Sequence, residues 1–265
     1  MEVLQAIVLA IVQGLTEFLP ISSSGHLILI PRFLGWQDQG LAFDVAVHVG
    51  TLLAVIAYFR DEIRGIVAAF LRSLSSGRVE GDARLGWAVL LGTIPVGLTG
   101  WLLVGDVETI LRSPVLIGLT TSGFGLLLWL ADRYGTRHRD EHHLSWRDVA
   151  VVGLAQALAL IPGTSRSGIT MTAGLMMGLS REGAARFSFL LAIPVIILAG
   201  GSETVQWLND PDSTPWHILM IGVLVAGLCA FFCIDIFLKL VKRVGMLPFA
   251  IYRLLLGVMI IYVYL

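Results

Sequence analysis

Long apolar runs separated by short polar connectors dominate the chain, and their lengths sort into two kinds. A helix that crosses a bilayer needs about 20 mostly apolar residues. Six runs meet that length, at roughly 41–59, 87–104, 114–131, 187–207, 217–238 and 247–265, the fourth by extending past Gly201 towards Leu208. Two more apolar regions, 3–34 and 149–179, are cut in the middle by Pro, Gly and hydroxyl residues. Each piece of a cut region is half a span long. The economical expectation is a re-entrant helical hairpin that enters the bilayer and returns on the same side. Irregular backbone at that depth survives only where protein or a wet cavity covers it.

The polar connectors set the orientation. Arg60, Arg64, Arg72, Arg78 and Arg84 gather in or beside one connector, and Arg133, Arg137, Arg139 and Arg147 fill another. Arg181 and Arg186 follow the second cut region, and Lys239, Lys242 and Arg243 complete the set. All fall on one side if the cut regions do not cross. The opposite connectors hold Asp106, Glu108, Asp210 and Asp212, with Arg32 and Arg112 as their only basic residues. Excess Lys and Arg marks the cytoplasmic side, which leaves both termini outside. One half then begins outside with a hairpin and the other begins inside with one, three spans following each. The expected architecture is an all-α polytopic membrane protein of two inverted-topology repeats. Repeat one covers 1–131, a cytoplasmic linker 132–148, and repeat two 149–265, with the hairpin tips meeting near the midplane. True double crossings would sort the charges identically, so the hairpin expectation rests on segment length.

Composition agrees with the pattern. The chain is 56% hydrophobic and 14% charged, where soluble domains carry about 25% charged residues. Its mean hydropathy is +0.84. No basic residue precedes Arg32, so the positive start of a cleavable signal peptide is missing. Cys229 and Cys233 share a helical face, where packing is expected; their number excludes a disulfide framework. Gly174-x-x-x-Gly178 reads as a helix-packing motif. Ser73–Gly81 reads as a solvated connector, and His138, His142 and His143 as members of a solvated loop rather than a metal site.

The chemistry collects at the two cuts. The first reads Gln13-Gly14-Leu15-Thr16-Glu17-Phe18-Leu19-Pro20-Ile21-Ser22-Ser23-Ser24-Gly25-His26, and the second Pro162-Gly163-Thr164-Ser165-Arg166-Ser167-Gly168-Ile169-Thr170 after Gln156. Glu17 is a carboxylate inside an apolar run, a functional candidate because burial there costs several kcal/mol. The competing role is structural glue between hairpins. Gln13, four residues earlier, shares its helical face. Three serines exceed what an N-cap needs, and His26 lies three residues after Ser23, on the same face of the first turn. Arg166 offers a rigid fork of donors that matches phosphate oxygens, beside a helix start that presents free N–H groups. An ion pair between Arg166 and Glu17 is a second reading, compatible with the first at rest. Asp44 and His48 are weaker candidates at helical spacing. Arg253 reads as a snorkelling residue or a second phosphate contact, and Asp235 as an interface residue.

These motifs resemble those of the undecaprenyl-diphosphatase family, the bacitracin-resistance type of integral membrane lipid phosphatase. That family pairs (E/Q)-x-x-x-E and L-P-x-S-S-x-x-H with a later P-G-x-S-R-S-x-x-T. Both are complete and in order here, from Gln13 to His26 and from Pro162 to Thr170, and the resemblance covers essentially the whole chain. Gln13 stands where some relatives have Glu, so it cannot serve as a base. The resemblance implies hydrolysis of undecaprenyl diphosphate to the monophosphate and inorganic phosphate, a recycling step for the cell-wall lipid carrier that confers bacitracin resistance. It also implies a divalent cation, Mg²⁺ or Ca²⁺, and a site reached from the periplasmic face of the bacterial inner membrane. On this reading Glu17, Ser23, His26 and Arg166 are catalytic, and Glu17 also holds the metal. Gln13, Ser22, Ser24, Ser165, Ser167 and Thr170 bind substrate. Ser23 is the favoured nucleophile with His26 assisting, while attack by His26 or by water stays open. The partners expected are the lipid substrate and the bilayer, with no nucleic acid; a homodimer is left open. The rival class is a secondary transporter or flippase for a phosphate-bearing lipid, which the same repeat would fit. An intramembrane serine protease is disfavoured by Arg166 and the paired hairpins.

Overall fold

The computed structural model describes residues 1–102, 113–209 and 214–265. Asp106, Glu108, Arg112, Asp210 and Asp212, which entered the charge sorting, lie outside the described residues. The described chain is helical: α1 (Val3–Thr16), α2 (Ser23–Leu34), α3 (Leu41–Tyr58), α4 (Arg60–Ser76), α5 (Asp82–Leu102), α6 (Pro114–Tyr134), α7 (Trp146–Ala157), α8 (Arg166–Met176), α9 (Arg181–Asn209), α10 (Trp216–Val244) and α11 (Leu247–Tyr264). Six of these, α3, α5, α6, α9, α10 and α11, are long and apolar enough to cross a membrane, and they coincide with the six expected runs. The chain is a multi-pass membrane protein. Several helices overrun their apolar stretch. α9 and α10 have 29 residues each, about 43 Å, against about 30 Å of hydrocarbon. Capping chemistry ends a helix; the lipid boundary does not.

Both cut regions are helix–break–helix. α1 ends at Thr16 and α2 starts at Ser23; α7 ends at Ala157, a 3₁₀ turn covers Leu158–Leu160, and α8 starts at Arg166. Each second helix springs from a serine in left-handed conformation, Ser22 at φ 73° and Ser165 at φ 68°. A side chain there costs about 1–3 kcal/mol, a strain typical of functional sites. α1 packs mainly on α10 and α7 mainly on α5, so each first half-helix leans on a span from the other half of the chain. These contacts are close. A Cβ on Gly14 would sit 2.6 Å from the Ala226 carbonyl oxygen, and one on Gly153 would sit 3.0 Å from Gly92 Cα. Beneath the breaks runs a chain of rings, Phe18–Phe189–Phe237–Phe249, with centroids 5.2, 5.8 and 5.3 Å apart.

Four readings from sequence change or sharpen. Arg60–Ser76 is a helix, not an open connector. Its Ile66 and Ser73 are buried, and Ser73 Oγ accepts from Trp87 Nε1 at 3.0 Å, while Val67, Leu71 and Leu74 form an exposed stripe. Such an amphipathic helix suits a membrane surface. Gly174 packs as expected, against Ala184 and Leu179, but Gly178 has φ +89° and turns the chain after α8. Cys233 is buried with Sγ on the Leu15 carbonyl, and neither cysteine is bonded to the other. The 138–143 loop is not simply solvated: Glu141 is buried.

The basic end of the bundle is held by ion pairs between elements. Arg181 bridges to Asp132, Arg139 to Asp148 and Lys242 to Glu182. Arg186 engages both Glu141 and Glu62 and lies over the Phe59 ring, 5.2 Å from its centroid. Burial pushes the Glu62 carboxyl up, and Arg186 only partly offsets that. Arg186→Ala would leave one buried carboxylate, Glu141, and one partly buried, Glu62, without their cation. It is expected to lower stability by roughly 3 kcal/mol. An unchanged melting temperature in detergent would show that the triad contributes nothing.

Candidate active site at the two breaks

Glu17 follows the last residue of α1, and the first break carries Ser23 back over it. Ser23 Oγ donates to Glu17 Oε2 at 2.7 Å, and Gln13 Nε2 donates to the same oxygen at 3.0 Å. The other carboxylate oxygen, Oε1, accepts from Arg166 Nη2 at 3.3 Å. That bond joins the two halves of the chain, because Arg166 is the first residue of α8. His48 of α3 stands at the side, its Nε2 3.8 Å from Glu17 Oε2. Glu17 and Arg166 are nearly covered, their side chains 7% and 11% exposed. A cleft of about 110 Å³ opens onto them, lined by Glu17, His48 and Arg166 and by Ala199, Gly200 and Glu203 of α9.

The second break builds the other wall. Arg166 Nη1 donates to the Ser188 carbonyl at 3.0 Å. Thr170 Oγ1 lies 2.8 Å from Ser188 Oγ, which ties α8 to α9. Ser165 caps α8 by accepting from Gly168 N at 3.2 Å, and Ser167 Oγ donates to the Leu19 carbonyl of the first break at 2.8 Å. Ser22 Oγ, Thr164 Oγ1 and Gln13 Oε1 are buried with no hydrogen-bond partner in the protein. Buried polar atoms are normally paired, so these three keep hydrogen-bonding capacity that the protein itself does not use.

Arg253 of α11 holds both breaks at once. It is fully buried, and its guanidinium donates to Pro20 O (3.3 Å), Gly163 O (3.0 Å), Thr164 O (2.8 Å) and Thr121 O (3.1 Å). Its fork is therefore spent on backbone carbonyls, which corrects the snorkelling and phosphate-contact readings alike.

The family follows from comparison with known proteins. Residues 6–259 match the family described as Bacitracin resistance protein BacA. The chain belongs to this family. It is 60% identical over 264 residues to an undecaprenyl-diphosphatase of Nitrosococcus oceani, covering 100% of each chain. It is 58% identical to undecaprenyl-diphosphatase 2 of Stutzerimonas stutzeri over 98% of each, and 55% identical to an undecaprenyl-diphosphatase of Thioalkalivibrio sulfidiphilus over 100% of each.

In this BacA-family chain most of the expected site residues gather. Gln13, Glu17, Ser23 and Arg166 form one connected cluster, and Ser165, Ser167 and Thr170 form the wall behind it. The expected Ser23–His26 pairing is absent: Ser23 is given to Glu17, while His26 bonds Ser22 O and the Tyr252 hydroxyl. Ser24 is exposed and joins none of these contacts. Sequence reasoning passed over Ser188 and Tyr252 as site neighbours and ranked His48 low. His48 carried one usable signal, a titratable side chain inside an apolar run.

Proposed function

We propose that this protein hydrolyses undecaprenyl diphosphate to undecaprenyl phosphate and inorganic phosphate at the two breaks. The resulting return of lipid carrier to cell-wall synthesis would give resistance to bacitracin. The relatives' names supply the substrate, and the observation that carries the chemistry is Ser23 Oγ at 2.7 Å from Glu17 Oε2 with Arg166 on the opposite oxygen. A hydroxyl in hydrogen-bond reach of a carboxylate, itself oriented by a third group, is the arrangement of an activated nucleophile. Ser23 attacks the terminal phosphorus and passes its proton to Glu17. The bond to the bridging oxygen breaks, and undecaprenyl phosphate leaves with the electron pair and takes the proton from Glu17. Water then attacks the phosphoserine and gives a proton to the freed carboxylate, which returns it to Ser23 Oγ as the phosphorus–oxygen bond to the serine breaks and phosphate departs. Arg166 trades Glu17 for the phosphoryl oxygens, and Ser22 Oγ and Thr164 Oγ1 have hydrogen-bonding capacity to spare for the same oxygens.

The donors also fit a hard divalent cation such as Mg²⁺ or Ca²⁺, because Gln13 Oε1 is buried without a partner beside the Glu17 carboxylate. Those two residues would hold it, and the cation would offset the charge of the diphosphate. The inverted-repeat reading, with both cut regions as re-entrant hairpins, is supported by the exchanged packing of α1 on α10 and α7 on α5. It is supported too by the matching left-handed serines, each nine positions after a buried glutamine. The clustering of Arg139, Arg181, Arg186 and Lys242 at one end supports a cytoplasmic basic end in the inner membrane. Access from the periplasmic side belongs to the same reading.

Phosphate release from undecaprenyl diphosphate by the purified protein tests the proposal. Release with Mg²⁺ or Ca²⁺ is expected, falling at least about tenfold when a chelator removes the cation. Folded protein that releases no phosphate under any condition would overturn the reading in favour of lipid transport, measured as flux in liposomes.

A further inference from the structure

We infer that Tyr252 is a positioning residue for His26, donating to Nε2 as the basic nitrogen of a tautomer that the Ser22 carbonyl sets. This inference rests on the site proposed above. His26 Nδ1 lies 2.7 Å from the Ser22 carbonyl oxygen, which can only accept, so Nδ1 carries the ring proton. The Nε2 lone pair then faces the Tyr252 hydroxyl at 2.5 Å, and the phenol must be the donor. The two rings lie nearly parallel, 10° apart, with centroids at 5.7 Å. The contact spans 226 positions of sequence and joins α2 to α11.

The arrangement has two anchors of different kinds. Ser22, strained into the left-handed region, turns its carbonyl onto one nitrogen of the ring. Tyr252 marks the other nitrogen as a proton acceptor. The orienting partner of a histidine commonly decides which nitrogen reacts. The charged groups on the packed elements are otherwise engaged: Glu17 by Gln13, Ser23 and Arg166, and Arg253 by backbone carbonyls. Arg32 stands two turns further along α2 itself. None of the three shares a described hydrogen bond or ion pair with the imidazole.

Tyr252→Phe deletes only the hydroxyl and leaves the ring in place. The variant is expected to melt like the parent, and its imidazole should take up a second proton at higher pH, because neutral imidazole has lost its donor. An unmoved titration of the ring in Tyr252→Phe would overturn the inference. Nitrogen NMR of the ¹⁵N-histidine-labelled protein reads the ring without any turnover, with His26→Ala giving the assignment. A protonated Nδ1, and an Nε2 signal that shifts in Tyr252→Phe, are expected. A protonated Nε2 would sink the inference even if the phosphatase assay succeeds. Correct NMR signals without phosphate release would instead fault only the activity.

Discussion

Arg166→Ala is expected to lower phosphate release about 10³-fold while the protein still folds. Among the described residues the guanidinium is the one cationic fork that opens onto the cleft, and its two terminal nitrogens reach Glu17 Oε1 and the Ser188 carbonyl. Phosphoryl transfer asks mainly for placement and charge stabilisation, so losing this group removes most of what the second half contributes. Arg166→Lys should recover only part of the loss, since an ammonium keeps the charge but not the planar fork. Glu17→Ala removes the carboxylate from the same pair and should be equally severe. Steady-state release beside a melting curve separates catalysis from folding. Near-normal turnover in either alanine variant would take that residue out of the site.

Arg253→Ala should fail differently, by loosening the fold. Four buried carbonyls from three segments would lose the guanidinium, with Gly163 O keeping only Thr121 Oγ1 at 3.3 Å, and a side chain with no exposed surface would leave a cavity. Unsatisfied buried acceptors cost about 1–3 kcal/mol each, so a total loss above about 4 kcal/mol is expected. The measurement is thermal stability and the yield of monodisperse protein in detergent. Arg253→Met, which keeps the volume, should restore little, because carbonyl pairing rather than size is at stake. A parent-like melting temperature for Arg253→Ala would show that the breaks hold their shape without it.

What the sequence made legible follows what lipid and motif chemistry dictate. The six spans were readable because a bilayer demands long apolar runs, and α3 and α6 start where the apolar runs do. The breaks were readable because each joins a proline to clustered hydroxyls and a glycine within a few residues, whereas the lone Pro95 and Pro194 stay inside helices. Glu17, Ser23 and Arg166 stood out as polar chemistry in apolar surroundings. Arg253 was misread because its partners are backbone carbonyls 89 to 233 positions away, which leave no mark on neighbouring side chains. The Ser23–His26 spacing was real, yet a shared helical face does not decide which neighbour a side chain chooses; Glu17 and Tyr252 won. α4 was missed because its apolar stripe is too narrow to read as a span.

The ion pair between Glu17 and Arg166 means the arginine is never bare. At rest a carboxylate oxygen occupies the place where a phosphoryl oxygen would bind, so the incoming anion must evict a resident rival rather than fill an empty slot. Displacing such a tenant costs the same free energy whatever replaces it, so every guest is weakened by the same factor. On the proposed reading an anion with several oxygens and high charge still binds after that loss, and a weakly held one does not. The resting ion pair thereby sets a threshold of affinity, and the same carboxylate stands ready to take the fork back when phosphate departs.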